Sequence, residues 1–201
     1  MICRGCTYAH RTADNRNLCA FCRTPGDASD GEYIERLKKR VEANDAVAIY
    51  NLGCYHAHGK YGVRQNLKKA NKLYLRAGEL GCTEAHCRIG YAYYTGSGME
   101  IDEEKAKYYY ELAAMGGNVH ARHNLGDLEK RAGNMKRAVK HWMISAGAGF
   151  DKSLGDIQQG YLNGHATKDD FEKALRTHKE ANDEMKSDQR DAAAAALGTR
   201  F

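Results

Sequence analysis

The feature that most restricts the fold is an internal repeat closing on glycine. Asp45–Gly81 contains Asn51-Leu52-Gly53, Lys69-Ala70 and Arg76-Ala77-Gly78-Glu79-Leu80-Gly81. Cys82–Gly117 answers with Arg88-Ile89-Gly90, Lys105-Ala106 and Leu112-Ala113-Ala114-Met115-Gly116-Gly117, and Asn118–Gly149 with Asn124-Leu125-Gly126, Arg137-Ala138 and Ser145-Ala146-Gly147-Ala148-Gly149. The closing glycines are 36 and 32 residues apart, the third unit being shorter where a loop contracts to Gly133-Asn134. A degenerate fourth unit follows, with Ile157, Tyr161, Asn163-Gly164 and Lys173-Ala174. Self-similarity at this period marks a stack of supersecondary units, none of which can bury its apolar face alone.

Each unit reads as two helices. Ala48, Leu52 and Tyr55, and Ala85, Ile89 and Tyr93, recur at helical spacing. A glycine-marked loop follows, and a second helix carries Leu67, Ala70, Tyr74 and Ala77, or Ala106, Tyr109, Tyr110 and Ala113. No proline follows Pro25 to interrupt this pattern. Glycine inside a helix costs about 1 kcal/mol relative to alanine. Its return at Gly53, Gly90 and Gly126 therefore predicts close helix–helix approach, with Ala70, Ala106 and Ala138 as the small partners.

The pattern resembles the Sel1-like repeat family, α/α hairpins related to tetratricopeptide repeats. Tyr50-Asn51-Leu52-Gly53, the Tyr93–Gly96–Gly98 loop, Lys105-Ala106 with Tyr109-Tyr110, and Ala113-Ala114-Met115-Gly116-Gly117 carry the resemblance. His56 replaces the family's usual tyrosine, and the proline after the loop is missing. The resemblance implies an all-α superhelical solenoid over residues 45–182, in units 45–81, 82–117, 118–149 and a degenerate 150–182. Residues 27–31 read as a linker, 32–44 as an amphipathic capping helix with Tyr33, Ile34, Leu37 and Val41 on one face, and 183–201 as a tail. A charged helix from Phe171 to about Lys186 closes the array.

Residues 1–26 differ in kind. Of seven cysteines, four form two Cys-x-x-Cys pairs, Cys3/Cys6 and Cys19/Cys22, with twelve residues between the pairs. A two-residue spacing lets a tight turn aim both sulfurs at one ion, and four thiolates complete a closed structural Zn2+ site. His10 lies between the pairs and offers an alternative to one thiolate. The other readings are reduced thiols or a redox pair, the latter wanting a thioredoxin-like βαβ context.

The same residues resemble the second half of a RING finger, with Arg23 after the last cysteine and Ala20 in place of the usual proline. In that family eight ligands hold two zincs in a cross-brace. The resemblance implies either two half-sites awaiting an upstream segment, or one zinc held by all four cysteines. A complete RING followed by these repeats would be an E3 ubiquitin ligase whose solenoid recruits substrate and whose head meets a ubiquitin-conjugating enzyme. Without the other four ligands, transfer activity is not expected.

The remaining clusters read as structure. Cys54/His58 and Cys82/His86 share helical i, i+4 spacing but fall within or at the start of repeat helices, where small buried cysteines are common. His120 and His123 share a face beside Arg122 and read as surface or hydrogen-bonded histidines. Gly96-Ser97-Gly98 lacks the strand and the Lys-Ser/Thr of a phosphate loop and reads as a turn. The tyrosines of 91–94 and 108–110 divide between core and exposed interface positions.

At 42% hydrophobic and 28% charged residues, with no run near the roughly 20 apolar residues of a membrane helix, no membrane partner is expected. A net charge of +5, scattered along the chain, does not call for nucleic acid. The opening Met1–Cys6 lacks the apolar stretch of a secretory signal, so an intracellular setting, cytoplasmic or nuclear, is expected. The expected partner is a protein or peptide bound by the solenoid. Cys19→Ser is expected to abolish zinc binding by the head while leaving helical circular dichroism nearly intact; loss of both together would place the head in the solenoid core.

Overall fold

The computed structural model describes residues 29–185. The four head cysteines, the linker before Ser29 and residues 186–201 lie outside the described residues.

Within them the chain forms nine helices and no strand: α1 (Asp30–Glu42), α2 (Ala46–His58), α3 (Leu67–Glu79), α4 (Thr83–Thr95), α5 (Glu103–Met115), α6 (Val119–Arg131), α7 (Met135–Gly147), α8 (Asp151–Leu162) and α9 (Lys168–Met185). They pair as α2/α3, α4/α5, α6/α7 and α8/α9, each hairpin packing on the next. α1 starts at Asp30, slightly earlier than the pattern suggests, because Ser29 and Glu32 form a reciprocal capping box. α9 likewise starts before Phe171, its first turn tied by Thr167 and Asp170.

The chain turns from one hairpin into the next at Gly81, Gly117 and Gly149, whose φ values of 86°, 83° and 85° lie in the left-handed region that favours glycine. The following residue is the N-cap position of the next helix. Asn118 there, and Asp45 after the left-handed Asn44, accept backbone N–H groups of the first turn. Cys82 and Phe150, in the equivalent places, make no side-chain cap bond.

The core runs as a chain of clusters, one at each junction, as expected when every unit contacts only its neighbours. Ile34 and Leu37 of α1 cover Ala48 and Leu52. Ile49, Ala70, Tyr74, Ala77, Cys82, Ala85 and Ile89 form the next cluster. Ala106, Tyr110, Ala113, Ala121 and Leu125 follow, and then Ala138, Val139, Trp142, Ala146, Ile157 and Ala174.

The helix glycines have a different partner from the one their spacing suggests. A Cβ on Gly53 would lie 2.7 Å from the Tyr74 ring, and one on Gly90 2.7 Å from the Tyr110 ring. A Cβ on Gly126 would overlap the Trp142 indole. The small residue thus receives an aromatic face, one turn beyond the alanine predicted to meet it. Ala70, Ala106 and Ala138 are fully buried beside these rings.

Gly90→Ala is expected to destabilise the array by about 1–3 kcal/mol, since the buried Tyr110 ring has nowhere to yield. Gly155→Ala in α8, where a Cβ meets nothing within 4 Å, should stabilise by about 0.5–1 kcal/mol. Urea unfolding midpoints of the two variants would move in opposite directions.

Candidate functional site

The first helices of the units carry variable residues at their fifth, sixth and ninth positions, some packed beside the core and some open to the outer face. In α2 these are Tyr50, Asn51 and Cys54; in α4, Cys87, Arg88 and Tyr91; in α6, His123, Asn124 and Asp127. A cleft of about 380 Å³ opens between these three helices, lined by Tyr50, Glu84, Arg88, Tyr91, His120 and Asn124 among others. Tyr91 is 50% exposed.

The cleft has a charged centre. Burial works against the Arg88 guanidinium, but the Tyr50 hydroxyl beside it, with Cys54 and Tyr74, holds it above its ordinary range, so it stays cationic. Burial likewise pushes the Tyr50 phenol up. Tyr50 lies 5.8 Å from Tyr74 between ring centroids, which fixes its orientation from the core side. Arg88 thus shares the cleft with the Tyr50 and Tyr91 phenols, the Asn124 amide and the Glu84 carboxylate.

A second constellation lies next along α6. His123 is 2% exposed and its Nδ1 lies 2.9 Å from Ser153 Oγ of α8. Its Nε2 is buried, makes no hydrogen bond, and lies 3.3 Å from Asp127 Oδ2. Asp156 Oδ2 is also buried without a hydrogen-bond partner, 3.8 Å from His123 Nδ1. Burial raises the Asp127 carboxyl, but His123, Lys152 and the Trp142 indole outweigh it and hold it below the usual range. Burial and the neighbouring Asp127 charge push the Asp156 carboxyl up.

His120 takes the expected surface place, whereas His123 is buried, with one ring nitrogen beside Ser153 and the other facing a carboxylate. His120 is exposed and stands edge-on to Phe150, with centroids 4.8 Å apart. His123 packs on the same ring from inside at 5.1 Å, and one of its nitrogens is without a hydrogen bond. Its polar neighbours Ser153 and Asp156 come from the degenerate fourth unit, a signal that local spacing does not carry.

The other clusters take packing roles. Tyr74 donates its hydroxyl to Cys54 Sγ at 3.5 Å, and His58 Nδ1 lies 2.8 Å from the Cys54 carbonyl oxygen. Cys82 is buried at its helix start, and the His86 ring covers Gly78. Burial pushes the Cys87 thiol up to about 11. Gly96-Ser97-Gly98 is the turn between α4 and α5, with Gly96 as the left-handed cap of α4. Of the two tyrosine runs, Tyr110 is buried whereas Tyr91 and Tyr108 are exposed. No helix among the described residues is long and apolar enough to cross a membrane.

Comparison with known proteins agrees with this architecture. Residues 46–82 and 83–118 match the family described as Sel1 repeat, which divides the chain at the α3–α4 turn. Chitin synthase regulatory factor 4 of Schizosaccharomyces pombe is 31% identical over 122 residues, 60% of this chain and 19% of that one. The ERAD-associated E3 ubiquitin-protein ligase component HRD3B of Arabidopsis thaliana is 27% identical over 131 residues, 65% of this chain and 20% of that one. The chain therefore spans about a fifth of the length of these curated relatives.

Among solved structures, a Sel1 repeat protein from Oxalobacter formigenes superposes with a TM-score of 0.66 at 27% identity, covering 76% of this chain and 64% of that one. The protective antigen c5321 of uropathogenic Escherichia coli, displaying an SLR fold, gives 0.63 at 28% identity over 76% of this chain and 33% of that one. Residues 46–118 thus match the Sel1 repeat, and the all-helical solenoid built on them is similar to solved Sel1-repeat structures.

Proposed function

We propose that this chain is a protein-interaction scaffold whose solenoid holds a protein or peptide segment in the cleft between α2, α4 and α6. The cleft itself carries the reading: Arg88 fixed against Tyr50, the half-exposed Tyr91 ring, and the Asn124 amide. Phenol rings give rigid, amphipathic contact area at low entropic cost, and arginine flanked by aromatics is a common centre of interface energy. The guanidinium favours a segment with a carboxylate, which it can bind through two parallel hydrogen bonds. The names of the two curated relatives, a regulatory factor and a ligase component, are in keeping with a scaffold.

The head belongs to this reading as a structural zinc knob on Cys3, Cys6, Cys19 and Cys22, supported by their paired spacing. A second reading rests on the same cysteines and on the similarity to a ligase component: the chain as part of a RING-type E3 ubiquitin ligase whose solenoid recruits substrate and whose head meets a ubiquitin-conjugating enzyme. Autoubiquitination with a panel of conjugating enzymes, on this chain and on one extended at its N-terminus, separates the two. Silence from both forms removes the ligase reading.

Selection of a random peptide library on the full chain tests the scaffold reading. Enriched peptides should carry an acidic residue, and Arg88→Glu should weaken their binding at least tenfold with the helical signal unchanged. Tyr91→Ala should weaken it while altering stability by less than about 0.5 kcal/mol, as for other exposed positions. No enrichment, or undiminished binding to both variants, would refute the cleft as the binding surface.

A further inference from the structure

We infer that His123, Asp127 and Asp156 form a binding site for a divalent first-row transition-metal ion that clips the third unit to the fourth. One ring nitrogen of His123 and one carboxylate oxygen from each aspartate lie within 4.8 Å of one another, the only such group among the described residues. An ion about 2.1 Å from each of two tetrahedral ligands would set those ligands about 3.4 Å apart. The observed 3.3 Å from His123 Nε2 to Asp127 Oδ2 has that span.

The ring is also oriented as a ligand. Nδ1 lies 2.9 Å from Ser153 Oγ, an outer contact that holds the orientation of the ring. With the proton on Nδ1, the Nε2 lone pair faces a carboxylate oxygen in a buried site and forms no hydrogen bond. In that tautomer the two electron-rich atoms repel unless a cation sits between them; a proton on Nε2 would close the same contact as an ion pair. Asp156 Oδ2, buried and equally without a hydrogen bond, approaches the ring from α8, 3.8 Å from Nδ1, as the third member of the cluster.

The surroundings hold the aspartates in place and leave a way in. The Trp142 indole donates to Asp127 Oδ1 at 3.3 Å, which leaves Oδ2 for the ion. Lys152 Nζ lies 3.6 Å from that Oδ2, but its side chain is 63% exposed and can turn to solvent. The carboxylates of Asp127 and Asp156 are 33% and 25% exposed, so an ion can reach them from water. One imidazole and two carboxylates suit zinc, cobalt or manganese better than a soft ion such as copper(I). Three protein ligands leave at least one position for water, and the ion would tie α6 to α8 where the glycine–aromatic packing of the earlier units gives out.

Zinc counting by native mass spectrometry on the full chain, loaded with Zn2+ and buffer-exchanged, tests the site. Asp156→Asn and Asp127→Asn should each carry one ion fewer than the parent chain, with unchanged helical circular dichroism. In a Cys19→Ser chain, in which the head site is broken, added Zn2+ should still raise the melting temperature, and Asp156→Asn should remove that rise. Equal zinc counts in the parent chain and both aspartate variants would overturn the site. So would the absence of any zinc-dependent rise in the Cys19→Ser chain, and the cluster would then be an ion pair closed by a protonated His123. Because the readout sets the cysteines apart from the aspartates, loss of the head site leaves this result unaffected.

Discussion

Every hairpin of the first three units is closed by a helix glycine receiving an aromatic face, and the rest of the structure is built around that contact. Tyr74, Tyr110 and Trp142 are the eighth residues of α3, α5 and α7; Gly53, Gly90 and Gly126 are the eighth residues of α2, α4 and α6. A buried ring of this size contributes a large apolar area, yet it needs room that a Cβ opposite would take. Glycine supplies the room at a cost in helix propensity of about 1 kcal/mol, well below the several kcal/mol lost when a buried aromatic is truncated. The alanines at 70, 106 and 138 complete the bed on which each ring lies.

The same rings reach the outer face. A buried phenol or indole must find a partner for its polar tip. Tyr74 donates to Cys54, and Trp142 donates to Asp127, in each case the residue directly after the glycine that receives the ring. The packing device thereby places a polar contact on the face that carries both the cleft and the His123 cluster. The orientation of Asp127 follows from how α6 and α7 pack, and the cluster geometry is in this sense a product of the core.

The fourth unit departs from this rule, with Gln158 where glycine is expected and His178 where the ring would stand. Ile157 and Ala174 keep their core places. Polar contacts replace the missing ring: His178 Nε2 lies 2.9 Å from Asp151 Oδ1, and Ser153, in the place of Ala48, Ala85 and Ala121, meets His123. The repeat, its helices, its turns and its small core residues were legible in the sequence because backbone chemistry dictates them locally. The aromatic partners of the glycines were not, since spacing alone favours matching small with small. Nor was His123: its partner Ser153 stands 30 residues away, and its neighbours His120 and Arg122 suggest an exposed stretch.

Function in such an array is confined to what packing leaves over. The third, seventh and eighth residues of each first helix are committed to alanine or serine, to leucine or isoleucine, and in the first three units to glycine. The fifth, sixth and ninth change from unit to unit: Tyr50, Cys87 and His123 at one register, Asn51, Arg88, Asn124 and Asp156 at the next. Between the first three units these positions make an open cleft around a single arginine. Between the third and fourth, the same register brings an imidazole and two carboxylates together under partial burial. A fixed lattice of positions with variable occupants thus gives neighbouring parts of one face different chemistry without disturbing the fold that holds them.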